Sequence, residues 1–395
     1  MPELLAFRGI RYRTDDLDDL TAPPYDVIDA SQRAALAARS PHNAVHLILP
    51  VGADPYARAA ADLARWQADG VLAADATPRL YGYEMEFVDD SGARRRTRGV
   101  VGALRLPSAA GNEDILPHER TLPKAKSDRL ALLRATRANL DPIWALTPSH
   151  GFGQHLEGLP VLSRTTDDEG VVHTLTSIED ADRIAGISTA IAHEPLVLAD
   201  GHHRFETAIN YRNEREENGV VAPGDQAIMC LVAELADEQL WVQPIHRVLD
   251  GVTDPKQLRH ALEQQFDVTP AGPNDVDSVR ALEARVNSTL GVGYADADGL
   301  WYVTPKDAPL ARARADMAAE LADVGAAWFD VLAEPELNAV EVSYRDDAQT
   351  VAAMVRGGQA DAAVLLRPVS IEQIRAAARA QVRMPQKTTF FAPKP

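Results

Sequence analysis

Between Asp54 and Asp69 apolar residues recur at helical spacing, with Tyr56, Ala60, Leu63 and Trp66 on one side and Gly70 as a stop. That pattern predicts a helix. The runs PRLYGYEMEFV and RTRGVVGALRL, joined across Asp89-Asp90-Ser91-Gly92, predict an antiparallel hairpin, which argues against a purely parallel sheet. After a polar loop, Ser127 stands as the cap of a helix through Asn139, with Leu130, Leu133 and Leu140 on one side. DPIWALTP reads as a short buried strand, and 149–175 as hairpins or an excursion.

Residues 176–219 predict helix, strand, tight turn, helix. The first helix lies near 177–191 and the strand is PLVLA. The turn is DGHHR, and the second helix carries Phe205, Ala208, Ile209 and Arg212 before Asn218-Gly219 closes it. AIMCLVAELA and WVQPIHRVL predict a second hairpin turning at Asp237-Glu238. Two helices separated by TPAGPND fill 255–290, and a hairpin follows over 291–304. The last 60 residues read as a strand near 340, a helix at 347–356, the strand AAVLL, a helix at 370–380 and the tail MPQKTTFFAPKP. The class is therefore α/β (α+β mixed), with mixed sheets, antiparallel hairpins and flanking helices. The expected division is a main α/β body over 1–250, a smaller α/β unit over 251–335, and a strand-helix segment with its tail over 336–395 that packs back on the body.

Composition narrows the function classes. The chain of 395 residues has 40 Lys plus Arg against 58 Asp plus Glu, a net charge of −18, which disfavours nucleic acid or an anionic membrane as a partner. Cys230 is the single cysteine, so neither an internal disulfide nor a multi-cysteine zinc site can form. The N-terminal segment lacks the apolar stretch of a secretory signal, and no run suits a membrane span. A cytoplasmic protein is expected.

The richest chemistry lies in Asp200-Gly201-His202-His203-Arg204, between a hydrophobic strand and an amphipathic helix. A helix N-terminus receives phosphate well, because its first N–H groups lack intrahelical partners and the dipole is positive there. Gly201 permits close backbone approach, His202, His203 and Arg204 add donors, and Asp200 could orient a histidine or hold Mg²⁺. A second cluster, His118, Glu119, Lys124, Lys126, Asp128 and Arg129, combines acids, bases and cations in a loop stiffened by Pro117 and Pro123. Pro23 and Pro24 likewise hold Tyr25 and Asp26 on a stiff loop. His246 and Arg247 read as an edge histidine beside a surface arginine, and Cys230 as a buried small hydrophobe. Phe390 and Phe391 should dock the tail, carrying Lys387 toward the anionic site.

Four motifs, APPYDVI, HERTLPKAKSDR, ADGHHRFETA and MPQKTTFFAPK, resemble in order a bacterial family known as domain of unknown function 1015. The turn Gly201 to Arg204, with Ala208 one turn later, also resembles the phosphate-cradling signature of the ParB and sulfiredoxin superfamily, which includes kinases of free serine. That resemblance implies phosphate contacts from Gly201, His202, His203 and Arg204 to a nucleotide such as ATP or ADP. The function it suggests is phosphoryl transfer involving a small hydroxyl metabolite such as serine, or phosphoserine in reverse. Lys124, Arg129 and Lys387 would neutralise charge. His118, Glu119, Asp200, His202 and His203 are the candidate catalytic groups, with Asp200 and Glu119 as candidate Mg²⁺ ligands. The alternatives are a nucleotide-responsive regulatory protein and a phosphatase or other hydrolase that needs no nucleotide.

Overall fold

The computed structural model describes every residue except 91, 109–113, 118–122, 237, 253 and 338–340, and it leaves the side chains of 117, 123–126 and 334–336 undescribed. The chain divides into two units. The first takes in Met1–Trp241, apart from undescribed residues, together with Pro393–Pro395, and the second is Val242–Ala392.

A nine-stranded mixed sheet organises the first unit. Its strands run Ile115–Pro117, Leu196–Asp200, Ile143–Thr147, Ala227–Glu234, Arg94–Arg105, Leu80–Val88, Val172–Ile178 and Val161–Thr166, and Leu4–Leu5 also pairs with Arg94–Arg105. Two pairings are parallel, Leu196–Asp200 with Ile115–Pro117 and Ala227–Glu234 with Ile143–Thr147. The others are antiparallel. The central strands are continuous apolar runs because both faces are covered. Leu196, Leu198, Ile143, Ala145, Cys230 and Val232 share one core with Phe205 and Ala208 of the helix His202–Glu217.

Several boundaries differ from the sequence reading. Ser127 does not cap a helix but lies inside Pro123–Thr136, which starts at Pro123, a residue tolerated in a first turn because its missing N–H has no partner to lose. The two runs after 226 do not form a hairpin with each other. Ala227–Glu234 takes Arg94–Arg105 on one edge and Ile143–Thr147 on the other, while His246–Asp250 belongs to the second unit. Pro244 interrupts the apolar run and separates the two.

The second unit holds a six-stranded antiparallel sheet ordered Phe266–Gly272, Gly299–Pro305, Val292–Asp296, Ala362–Leu365, His246–Asp250 and Glu341–Arg345. Phe266–Gly272 is a strand where the sequence predicts only helices and a Pro- and Gly-containing break; Pro270 argues against a strand, yet an edge position tolerates the missing donor. The helices Val276–Ser288 and Ala348–Arg356 supply Val279, Leu282, Val286, Val351, Ala352 and Val355 to its core with Val248, Ala295 and Ala363. His246 and Arg247 are both buried, contrary to the edge and surface expectation, because His246–Asp250 lies between two strands. Arg247 donates to the carbonyls of Ile245 and Lys387 and pairs with Asp330 at 3.2 Å, which supports its buried charge. No helix among the described residues is long and apolar enough to cross a membrane.

Candidate functional site at the Asp200 to Arg204 turn

Leu196, Val197 and Leu198 are fully buried, and Asp200 ends their strand half-buried. At Gly201 the backbone takes φ +88, and a Cβ there would stand 2.7 Å from Ile143 Cγ2. Both the conformation and the space require glycine. The helix His202–Glu217 begins at once, with Gly201 in the N-cap position offering no capping side chain. The Phe205 amide donates to the Gly201 carbonyl at 2.9 Å, and the buried Phe205 ring fixes the first turn against the sheet. The positive end of the helix dipole therefore stands at the end of the strand that carries Asp200.

Asp200 joins two cations. Its Oδ2 accepts from Arg204 Nη2 at 2.6 Å, and its Oδ1 lies 3.1 Å from Lys394 Nζ. The same ammonium donates to Asp26 Oδ2, and only 11% of the Lys394 side chain reaches solvent. Burial alone would raise the Asp200 carboxyl, but Lys394, then Arg204, with His202 behind them, hold it down at about 2. Burial works against the charges of Arg204 and Lys394 too, and Asp200 with Asp26 nevertheless raises both.

Arg204 Nη1 donates to the Pro142 carbonyl at 2.6 Å. The Tyr25 ring lies beneath two guanidinium groups, 4.0 Å from Arg129 Cζ and 5.9 Å from Arg204 Cζ, the geometry of cation–π contact. Arg129 is buried, donates to the Ile48 carbonyl at 2.8 Å and forks onto Asp128, which also accepts from the Tyr56 hydroxyl at 2.7 Å. Asp141 faces the same cations, and its burial pushes the carboxyl up against the opposing pull of Arg204 and Arg129. A small cleft of about 50 Å³, lined by Arg129, Leu132, Leu133, Asp141, Arg204, Thr207 and Ile228 among others, opens between the helices Pro123–Thr136 and His202–Glu217.

The structure thus brings Asp200, Gly201, His202, His203, Arg204 and Arg129 into one region of the first unit. His118 and Glu119 lie outside the described residues, as do the side chains of Lys124 and Lys126. The strand before them is placed. Pro117 stands opposite Leu198 in parallel register, so the segment carrying His118 and Glu119 follows the strand next to the one that ends at Asp200. Lys387 lies exposed in the second unit with φ 56, and its carbonyl accepts from Arg247. The lysine that reaches Asp200 is Lys394.

Tyr25, Asp26, Asp141 and Lys394 carry no role in the sequence reading. For Tyr25 and Asp26 the stiff diproline loop was the available signal. For Lys394 it was the docking of Phe390 and Phe391, since Phe391 is 3% exposed. A metal at Asp200 is a different matter. Each Asp200 oxygen is committed to a cation of the chain, and no group of three His, Cys, Asp or Glu among the described residues could hold a metal ion. Mg²⁺ at Asp200 would share those oxygens with Arg204 and Lys394.

No curated protein matches this chain in sequence. Similar solved structures include a conserved hypothetical protein from Pyrococcus furiosus at 12% identity and TM-score 0.39, covering 71% of this chain and 89% of that one. A free serine kinase in complex with AMP is similar at 11% identity and TM-score 0.39, covering 71% and 84%. SbnI with a C-terminal truncation, from Staphylococcus aureus, is similar at 14% identity and TM-score 0.39, covering 75% and 84%. At these values nothing about activity passes from those proteins to this chain. The sequence model of one family matches residues 4–332, and the chain belongs to that family, described as a protein of unknown function (DUF1015).

Proposed function

We propose that this chain is a phosphoryl-handling enzyme, a nucleotide-dependent phosphotransferase acting on a small hydroxyl metabolite such as serine, or on phosphoserine in reverse. One observation carries the reading. A glycine turn at φ +88 opens a long helix without a capping side chain, beside a carboxylate clamped by Arg204 and Lys394. The helix terminus favours an oxyanion, and two buried cations beside it stabilise further negative charge. Asp200 keeps those cations in place when no ligand is bound, so their positions are set before phosphate arrives.

The roles follow from this placement. The amide edge of the first helical turn and Arg204 receive the phosphoryl oxygens, with His202 and His203 as further donors. Lys394 neutralises charge at the carboxylate, and Arg129 holds Tyr25 against the site by stacking. His118, Glu119 and Lys124 remain candidates on the strength of their sequence context. No step is routed through Mg²⁺, for which Asp200 and Glu119 stay the candidate ligands.

The test is turnover by the purified full chain with ATP or ADP and serine, followed by phosphate-sensitive detection of phosphoserine. Arg204→Ala should reduce nucleotide affinity by about 1.5–3 kcal/mol, the range for hydrogen bonds to charged groups, in a folded protein. Binding of nucleotide without any product from small hydroxyl acceptors would favour a regulatory protein. Phosphate release from phosphoserine without nucleotide would favour a phosphatase.

A further inference from the structure

We propose that the cleft between the helices Pro123–Thr136 and His202–Glu217 is an acceptor subsite, which binds a small carboxylate-bearing molecule through the Arg204 Nε–H and the Thr207 hydroxyl. This rests on the phosphoryl-transfer reading and names the substrate class that the same site takes.

Thr207 lines the cleft and is 2% exposed, and its Oγ1 has no hydrogen-bond partner among the described residues. A helical threonine ordinarily turns its hydroxyl to the carbonyl four residues back. This one does not. Arg204 Nε is buried and likewise lacks a partner among the described residues, although both terminal nitrogens of the same guanidinium are engaged. Residues 204 and 207 stand three apart on one helix, so their side chains share a face. Two adjacent buried donors left unsatisfied cost stability unless a ligand supplies acceptor oxygens.

A carboxylate suits this pair better than a phosphate. Arg204 is already half-neutralised by Asp200, and Asp141 lines the same cleft, so the Nε side of the guanidinium balances a monoanion better than a dianion. The phosphate belongs one turn away, at the start of the helix. Leu132, Leu133 and Ile228 give the cleft an apolar wall that fits a short aliphatic body. A ligand whose carboxylate sits on Arg204 and Thr207 would thus extend toward the phosphate-binding turn at Gly201.

Calorimetry on the full chain tests this with glycerate and L-serine as probes, glyceramide and L-serinamide as their uncharged counterparts, and ADP and inorganic phosphate as separate probes. The acids should bind and the amides should bind about tenfold or more weakly, as expected for hydrogen bonds to a charged group. Thr207→Val should weaken the acids by a similar factor while leaving ADP and phosphate within about twofold, and Thr207→Ser should restore them. Since the valine removes an unsatisfied buried hydroxyl, its ligand-free melting temperature should equal or exceed that of the parent. Acids that bind Thr207→Val as tightly as the parent, or that fail to bind while ADP binds, overturn the subsite. Acids that bind through Thr207 while ADP and phosphate do not would overturn the phosphoryl-transfer reading and leave the subsite standing. If no probe binds, both fall.

Discussion

Lys394 Nζ lies 3.1 Å from Asp200 Oδ1 and donates as well to Asp26, so one ammonium ties the turn at Gly201 to the diproline loop. Its burial is a cost that only well-placed partners offset. Here two carboxylates and the helix terminus share a closely balanced set of charges, in which removing one member leaves another buried without compensation.

Lys394→Ala should therefore destabilise the chain by about 1–3 kcal/mol, below the full 3–5 for a broken buried pair because Arg204 still holds Asp200. Chemical denaturation should show the midpoint falling at constant m, and Lys394→Arg should recover part of the loss. A midpoint shift worth less than about 0.5 kcal/mol would show that the contact is an ordinary surface pair.

Acid should weaken the second unit through His246. Burial, set partly against Asp347, pushes this imidazole down to about 4 from 6.5, and its Nδ1 accepts from the Leu366 amide at 3.1 Å. The folded state thus binds its proton less readily than the unfolded chain. Stability from this group is present above about pH 6.5 and is lost as pH falls from there through about 4, by roughly 2–4 kcal/mol in all. His246→Asn keeps an acceptor for Leu366 without titrating, and its stability should fall less steeply between pH 6.5 and 4. Parallel pH profiles for the two proteins would remove His246 as the cause.

The part of the site legible in the sequence is the part that repeats a local rule. A strand of continuous apolar residues, a glycine, and an amphipathic helix identified 196–217, and the same logic located Phe205 and Ala208 in the core. Lys394 obeys no such rule. It lies between Pro393 and Pro395 with no periodicity around it, and it matters only because the fold brings it to Asp200. Strand pairing failed for a related reason. Ala227–Glu234 is apolar on both faces, and such a run carries no information about which neighbours it takes.

Cys230 should be chemically silent in the native protein. Burial pushes its thiol up, and the side chain lies fully inside the central strand Ala227–Glu234. A thiolate-selective reagent should label it only in denaturant. Labelling of the native chain at the rate of a free thiol would mean that this strand opens readily.

Gly201 is the last residue to test, and the expectation separates local strain from loss of space. A non-glycine residue at φ +88 pays about 1–2 kcal/mol for the backbone alone. The added Cβ would also meet Ile143 Cγ2 at 2.7 Å and Arg204 Nε at 3.2 Å, so a central strand or the clamped arginine must move. Overpacking of this kind costs about 1–3 kcal/mol more. Gly219 makes the control, because it ends the same helix at φ +68 with open space within 4 Å of where a Cβ would stand, leaving only the backbone cost. Gly201→Ala should thus destabilise the chain by about 2–5 kcal/mol and Gly219→Ala by about 1–2, measured by the same denaturant titration. Only the first should reduce nucleotide affinity in the folded fraction, since it moves Arg204. Equal losses in the two variants would mean that the space beneath Gly201 gives way easily, and that the turn is not held rigidly enough to set Arg204 for a phosphate.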